Sequence, residues 1–203
     1  MFLTHFKFNT QPFAERVAAE ALWQDDRMRQ GLARLRYTAE HATVGLITGP
    51  SGVGKSVLLK RFLHELSGPQ WQPVYLHLTH LPAAGLFKLL VAKFGEQPRR
   101  GKDRLFQQIL EKARQAEGAL LIILDEAHLL DADTLTDLRL LISSALDDAP
   151  PLKLILSGQE PLRQTLRQAQ HAALLNRIAL RQHLAPLTKP QTTTYIDFQL
   201  KQL

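Results

Sequence analysis

Eight consecutive residues constrain this chain more than any others: Gly49-Pro50-Ser51-Gly52-Val53-Gly54-Lys55-Ser56, a GxxxxGK[ST] run. Before it, Thr43–Thr48 (TVGLIT) reads as a short buried strand. After it, the stretch from about Lys55 to Leu66 reads as a helix, stopped by Ser67-Gly68-Pro69. The glycines let the backbone curl until successive N–H groups face one point, and the helix adds its positive N-terminal end. A strand, a tight glycine-rich turn and a helix in that order form a receptor for phosphate.

This is the Walker A pattern, and it makes Gly49, Pro50, Ser51, Gly52, Val53, Gly54, Lys55, Ser56 and the adjoining Val57 the candidate nucleotide-binding residues. Lys55 is expected to reach the β- and γ-phosphates, and Ser56 to offer its hydroxyl to Mg²⁺. The bland alternative is a glycine-rich turn with no ligand, which the strand-and-helix context argues against. A second feature supports the first. Leu120-Leu121-Ile122-Ile123-Leu124-Asp125-Glu126 is an apolar strand ending in two carboxylates, the Walker B form. Asp125 is expected to hold Mg²⁺ through its water shell, and Glu126 to polarise the attacking water. In a chain lacking the glycine-rich run, an Asp-Glu pair capping the next helix would be the better reading.

His128 completes the letters Asp-Glu-Ala-His, which invite a helicase reading. Such helicases need two tandem motor domains, and 203 residues accommodate one. A surface His, or one standing just behind the site, is the reading kept.

Apolar strands and helical stretches alternate almost from end to end, which predicts an α/β fold with a parallel sheet covered by helices. Helices are expected over about Asp25–His41, with Met28, Leu32, Leu35 and Tyr37 among the apolar positions, and over Leu86–Phe94. Gly95–Lys102 (GEQPRRGK) is the most loop-like segment, and a helix follows to about Ala116. Strands are expected at Val74–Leu78, Ala119–Leu124, Leu152–Leu156 and near Ile178–Leu184. Asp131 or Asp133 can cap a helix reaching about Leu146, broken at Pro150-Pro151; helix is expected again from Pro161 and from about Lys189.

Composition narrows the classes. The chain has no cysteine, which excludes a disulfide scaffold, a Cys-ligated zinc site and thiol catalysis. Its longest apolar run, Ala119–Leu124, is far short of the roughly 20 residues that span a bilayer. Met1–Phe8 lacks the apolar core of a secretory signal, so a cytoplasmic protein is expected. Net charge is +6, and 25 basic residues are interspersed with 19 acidic ones. That balance permits a nucleic-acid partner without locating one.

Taken together, several stretches resemble AAA+ ATPases of the ExeA/general-secretion type and their relatives, the ATP-binding subunits of transposons (TniB and TnsC). They are Phe6…Pro12-Phe13, Gln30-Gly31-Leu32-Ala33-Arg34-Leu35, Leu124-Asp125-Glu126-Ala127-His128-Leu129-Leu130 and Leu156-Ser157-Gly158-Gln159-Glu160-Pro161-Leu162. Asn176-Arg177-Ile178…Arg181…His183-Leu184…Pro186-Leu187 and then Tyr195-Ile196 complete the series.

The resemblance implies a three-layer P-loop fold of the AAA+ type, with ATP and Mg²⁺ as cofactors and ATP hydrolysis as the reaction. It implies that Ser157–Gln159 is the sensor-1 region, with Gln159 orienting water; a plain Ser-Gly turn is the alternative. Arg177, or else Arg181, becomes the arginine finger for a neighbouring subunit. Residues 1–24 become a segment near the nucleotide, 25–187 the ATPase unit and 188–203 the start of a helical lid that is truncated or minimal.

The same likeness suggests a homo-oligomer, ring or filament, that assembles on double-stranded DNA and links target DNA to a transposase. Arg99, Arg100 and Lys102 are then candidate DNA contacts, with a solvated loop as the alternative. A secretion-assembly ATPase of the ExeA type, and a nucleotide-gated binding module with little hydrolysis, are the other two functions the residues allow.

Overall fold

Apolar runs without alternation can settle only where both faces of a sheet are covered. That is the position of β1 (Val44–Thr48), β3 (Ala119–Asp125) and β4 (Leu152–Gly158) in the computed structural model, which describes residues 5, 11, 13, 19, 22–66, 68–145 and 152–201. Phe6 and Pro12 of the family pattern, Ser67, the helix end expected near Leu146 and the break at Pro150-Pro151 lie outside the described residues. All three strands are buried along their length, and they form the middle of a five-stranded sheet. The order is β2-β3-β4-β1-β5, every pairing is parallel, and β2 (Trp71–His77) and β5 (Ile178–His183) take the edges. Lys153 is the one charged side chain buried at the start of β4. Its Nζ donates to the carbonyls of Glu40 at 3.3 Å and Ala42 at 3.0 Å.

The two-residue period of a strand sorts the core onto two faces. Leu46, Leu120, Ile122, Leu124, Leu154 and Leu156 pack against α3 (Ala83–Lys93), α4 (Lys102–Gln115), α5 (Ala132–Ser144) and the short α6 (Glu160–Leu166) and α7 (Ala172–Leu175). Ile47, Leu121, Ile123 and Ile155 pack on the other side against α1 (Asp26–His41) and α2 (Lys55–Glu65). The result is the three-layer arrangement expected from the alternation of elements. Each large apolar side chain buried this way stabilises the fold by about 1.5–3 kcal/mol relative to exposure.

Local chemistry sets the element ends. Asp25 caps α1 by accepting from the Met28 amide at 2.9 Å, and Asp131 caps α5 by accepting from the Thr134 amide at 2.7 Å. Asp131, not Asp133, is therefore the cap. A reciprocal Thr188/Gln191 capping box opens α8 (Lys189–Leu200).

Three details differ from expectation. Tyr37 is 53% exposed, because the buried stripe of α1 runs through Met28, Leu32, Leu35 and Ala39 and Tyr37 falls two residues past Leu35, on the opposite side. Strand β2 starts at Trp71 and takes in Pro73, which an edge strand tolerates because no ladder hydrogen bond is needed on its open side. Strand β4 runs on through Ser157 and Gly158, both paired with β1. Among the described residues, no helix is long and apolar enough to cross a membrane.

Candidate active site

The loop between β1 and α2 is shaped by close approach. A Cβ on Gly49 would stand 2.4 Å from the carbonyl oxygen of Leu184, so only glycine lets the chain leave β1 there. Gly54 precedes α2 at φ +102°, a conformation that glycine alone adopts cheaply, and it turns the loop into the helix. Lys55 is buried, and its Nζ donates to the carbonyls of Gly49 at 3.0 Å and Pro50 at 2.8 Å. The amine thus lies inside the span of its own loop. Ser56 sits one residue into the helix, facing β3.

Asp125 ends β3 with no exposed surface, and its carboxylate accepts four hydrogen bonds. Oδ2 accepts from the Ser56 hydroxyl at 2.6 Å and from the Tyr75 phenol at 2.9 Å. Oδ1 accepts from the Ser157 hydroxyl at 2.8 Å and from the Glu126 amide at 3.0 Å. His77 Nδ1 stands 3.9 Å from Oδ2. Three neighbouring elements, α2, β2 and β4, therefore converge on one buried carboxylate. Burial, then the charge of Asp125 and the hydrogen bond to it, push the Tyr75 phenol up, so it stays a donor.

Glu126 leaves the strand at φ 57°, rare for a residue with a side chain. Its Oε2 lies 3.3 Å from His128 Nδ1 and 3.4 Å from Gln159 Nε2. The Gln159 amide also approaches His128 Nδ1, at 3.5 Å. His128 thus stands directly behind Glu126 rather than out in solvent.

The residues present suit a magnesium-bound nucleoside triphosphate. A glycine loop with inward space, a buried lysine amine, and a hydroxyl–carboxylate pair at 2.6 Å supply the amide, cation and oxygen donors that such a group needs. Beside the loop is a cavity of about 600 Å³, lined among others by Trp23, Met28, Pro50, Val57, Leu187 and Tyr195. The Trp23 and Tyr195 rings are 5.3 Å apart, and Tyr195 also meets Phe13 at 6.0 Å. Arg27, on the cavity wall, is paired with Asp25 at 2.6 Å and donates to the Ala185 carbonyl.

The structure brings together the Gly49–Val57 loop, Asp125, Glu126 and Gln159, and the other candidates make their contacts elsewhere. Arg177 and Arg181 donate to the carbonyls of Ala173 at 3.2 Å and Leu175 at 3.3 Å. Arg99 pairs with Glu111 at 3.4 Å and Lys102 with Asp137 at 2.9 Å, while Arg100 is exposed. Sequence reasoning missed Tyr75 and Trp23 and named Ser157 and Tyr195 only as parts of longer stretches. The register of β2 with β3 is the only signal for Tyr75, and no local pattern joins Trp23 to Tyr195.

Fold and site together define a P-loop ATPase of AAA+ architecture, the class that binds ATP and uses Mg²⁺. The chain belongs to the AAA domain family, whose sequence model matches residues 37–166, more than half of it. General secretion pathway protein A of Aeromonas hydrophila is 29% identical over 207 aligned residues, covering 99% of this chain and 38% of that protein. The chain thus spans less than half the length of that relative. The ORC2 protein of Aeropyrum pernix, in its ADPNP-ADP complexes, has the same fold at a TM-score of 0.66 and 20% identity, over 96% of this chain and 54% of that one. The ORC1 protein of the same organism, in complex with DNA, gives 0.69 at 15% identity, over 95% of this chain and 50% of that one. A Walker-type ATPase of Pyrococcus abyssi gives 0.62 at 20% identity, over 90% and 60%.

Proposed function

We propose that this chain binds ATP with Mg²⁺ in the Gly49–Ser56 loop and hydrolyses it, with Glu126 as the base. The observation that carries the reading is the saturated Asp125 carboxylate, which ties the loop helix, through Ser56, to the strand that delivers Glu126. Lys55 and the loop amides hold the phosphates. Ser56 and Asp125 hold the metal, which neutralises phosphate charge when bound. Glu126 takes a proton from the attacking water, and Gln159 Nε2, donating to Oε2, keeps the carboxylate in place. The 600 Å³ cavity, closed by Trp23 and Tyr195, receives the base.

In this reading Leu22 and Trp23, from the 1–24 segment whose other residues lie mostly outside the described ones, line the site, 25–187 form the ATPase unit, and 188–203 begin a lid. Arg177 or Arg181 serves the site of a neighbouring copy; within their own chain they donate to the carbonyls of Ala173 and Leu175, not to a residue of the nucleotide loop. The chain assembles as a homo-oligomer on double-stranded DNA, with Arg99, Arg100 and Lys102 as contacts, and connects target DNA to a transposase. Support for this comes from the family resemblance and the net charge of +6. A second reading, a secretion-assembly ATPase, is favoured by the match to General secretion pathway protein A along nearly the whole chain.

Light scattering with a slowly hydrolysed ATP analogue and Mg²⁺, with and without duplex DNA, separates these readings. Assembly that needs both ligands supports the DNA-bound role, whereas assembly with nucleotide alone favours the secretion type. Replacement Glu126→Gln should keep nucleotide affinity and lower multiple-turnover hydrolysis by about 10²–10⁴-fold. Equal turnover in variant and parent would remove Glu126 from its role and leave a nucleotide-gated binding module.

A further inference from the structure

A second cavity, of about 240 Å³, opens between α6 and the edge strand β5, and three arginines share its wall: Arg163, Arg167 and Arg181. Its floor is Leu46, Leu166 and Thr48, all buried. At the floor, Thr48 Oγ1 and His183 Nδ1 are 3.2 Å apart.

The charge on this wall is scarcely compensated. Arg163 meets Glu160 at 3.3 Å, with both side chains nearly half exposed. Among the described residues, Arg181 is bonded only to the Leu175 carbonyl and Arg167 has no side-chain partner. A basic cluster with a purely structural role is normally laced with carboxylates, because three guanidinium groups around one concavity repel each other. The strand that carries Arg181 is also held in place. Arg34 of α1 donates to the Arg181 carbonyl at 2.9 Å and to Gln182 Oε1 at 2.7 Å. Arg181 is therefore presented by a fixed backbone, and the planar forks of the three arginines suit tetrahedral oxyanions.

We infer that this cavity is a phosphate-binding site, separate from the Gly49–Ser56 loop, that takes a phosphoryl or phosphodiester group through Arg163, Arg167 and Arg181. The inference goes beyond ATP hydrolysis and does not depend on it. Thr48 lies on its floor immediately before Gly49, so the new site backs onto the strand that feeds the nucleotide loop.

The test is calorimetric titration of pyrophosphate and of a short DNA duplex, at low salt, into two proteins. One is the parent saturated with ADP and Mg²⁺; the other is Lys55→Ala, in which the loop is disabled. One pyrophosphate should bind per chain in both. In each background Arg167→Gln and Arg181→Gln should weaken it by about tenfold or more. Circular dichroism and ADP binding by the parent-background variants show that the fold is kept. Competition between duplex and pyrophosphate identifies a nucleic-acid backbone as the source of the phosphate, and its absence identifies a free or nucleotide phosphate. If neither ligand binds outside the loop, or if binding ignores both arginine replacements, the inference fails. Absence of ATP turnover in the parent, with pyrophosphate binding intact, would count against the nucleotide reading alone.

Discussion

The Ser157 hydroxyl donates to Asp125 Oδ1 at 2.8 Å, and neither residue has exposed surface. The hydrogen bond joins the end of β4 to the end of β3 and orients the carboxylate proposed to hold Mg²⁺. A buried carboxylate is costly unless its lone pairs are met, so each donor around Asp125 contributes to stability as well as to geometry.

Replacing Ser157 with Ala leaves the Glu126 amide as the only donor to Oδ1. We expect a loss of about 1–3 kcal/mol in urea unfolding, because a charged buried acceptor is left short. Hydrolysis should fall more than ATP affinity does. Unchanged stability and turnover would show that the Ser157 contact is dispensable.

Tyr75→Phe keeps the ring and removes only the phenol that donates to Asp125 Oδ2 at 2.9 Å. Three donors remain, so the expected cost is about 1 kcal/mol. The Mg²⁺ concentration for half-maximal turnover should shift, since the phenol shares Oδ2 with Ser56. A turnover curve superimposable on that of the parent would argue that the phenol leaves Oδ2 whenever the metal binds.

Trp23→Ala and Tyr195→Ala each remove one ring of the pair at 5.3 Å beside the loop. If the base stacks there, each should weaken ATP by about 1–3 kcal/mol while sparing inorganic triphosphate. Equal weakening of both ligands would mean that the cavity shapes the loop and does not read the base.

Asp131 supplies a pH test. Hydrogen bonding from Thr134 holds its carboxyl below the usual carboxylate range. A depressed folded pKa contributes stability that is complete above the unfolded value and is lost as pH falls through the folded one. Asp131→Ala should therefore cost about 1 kcal/mol at neutral pH, and progressively less as the pH drops below the usual carboxylate range. The same deficit at every pH would mean that the cap acts without its charge.

Parts of this molecule could be read one residue at a time. The run Gly49–Ser56 carries its mechanism in its spacing, because the turn it makes is local. The apolar runs of β1, β3 and β4 announce a sheet covered on both faces, and Asp131 stands where a cap is needed. Resemblance to a family added the three-layer order and Gln159, which the structure places 3.4 Å from Glu126. Other relationships belong to the tertiary structure alone. Tyr75 reaches Asp125 only because β2 pairs beside β3 in a particular register, and Ser157 only because β4 lies on the other side. Trp23 meets Tyr195, and Arg167 shares a cavity with Arg181, across chain separations that no periodicity spans. The physical reason is the range of the forces. Backbone preference and hydrophobic period act over a few residues and leave their mark in the chain. The partners of a buried charge are chosen by the packing of strands and helices, which exists only once the sheet has formed.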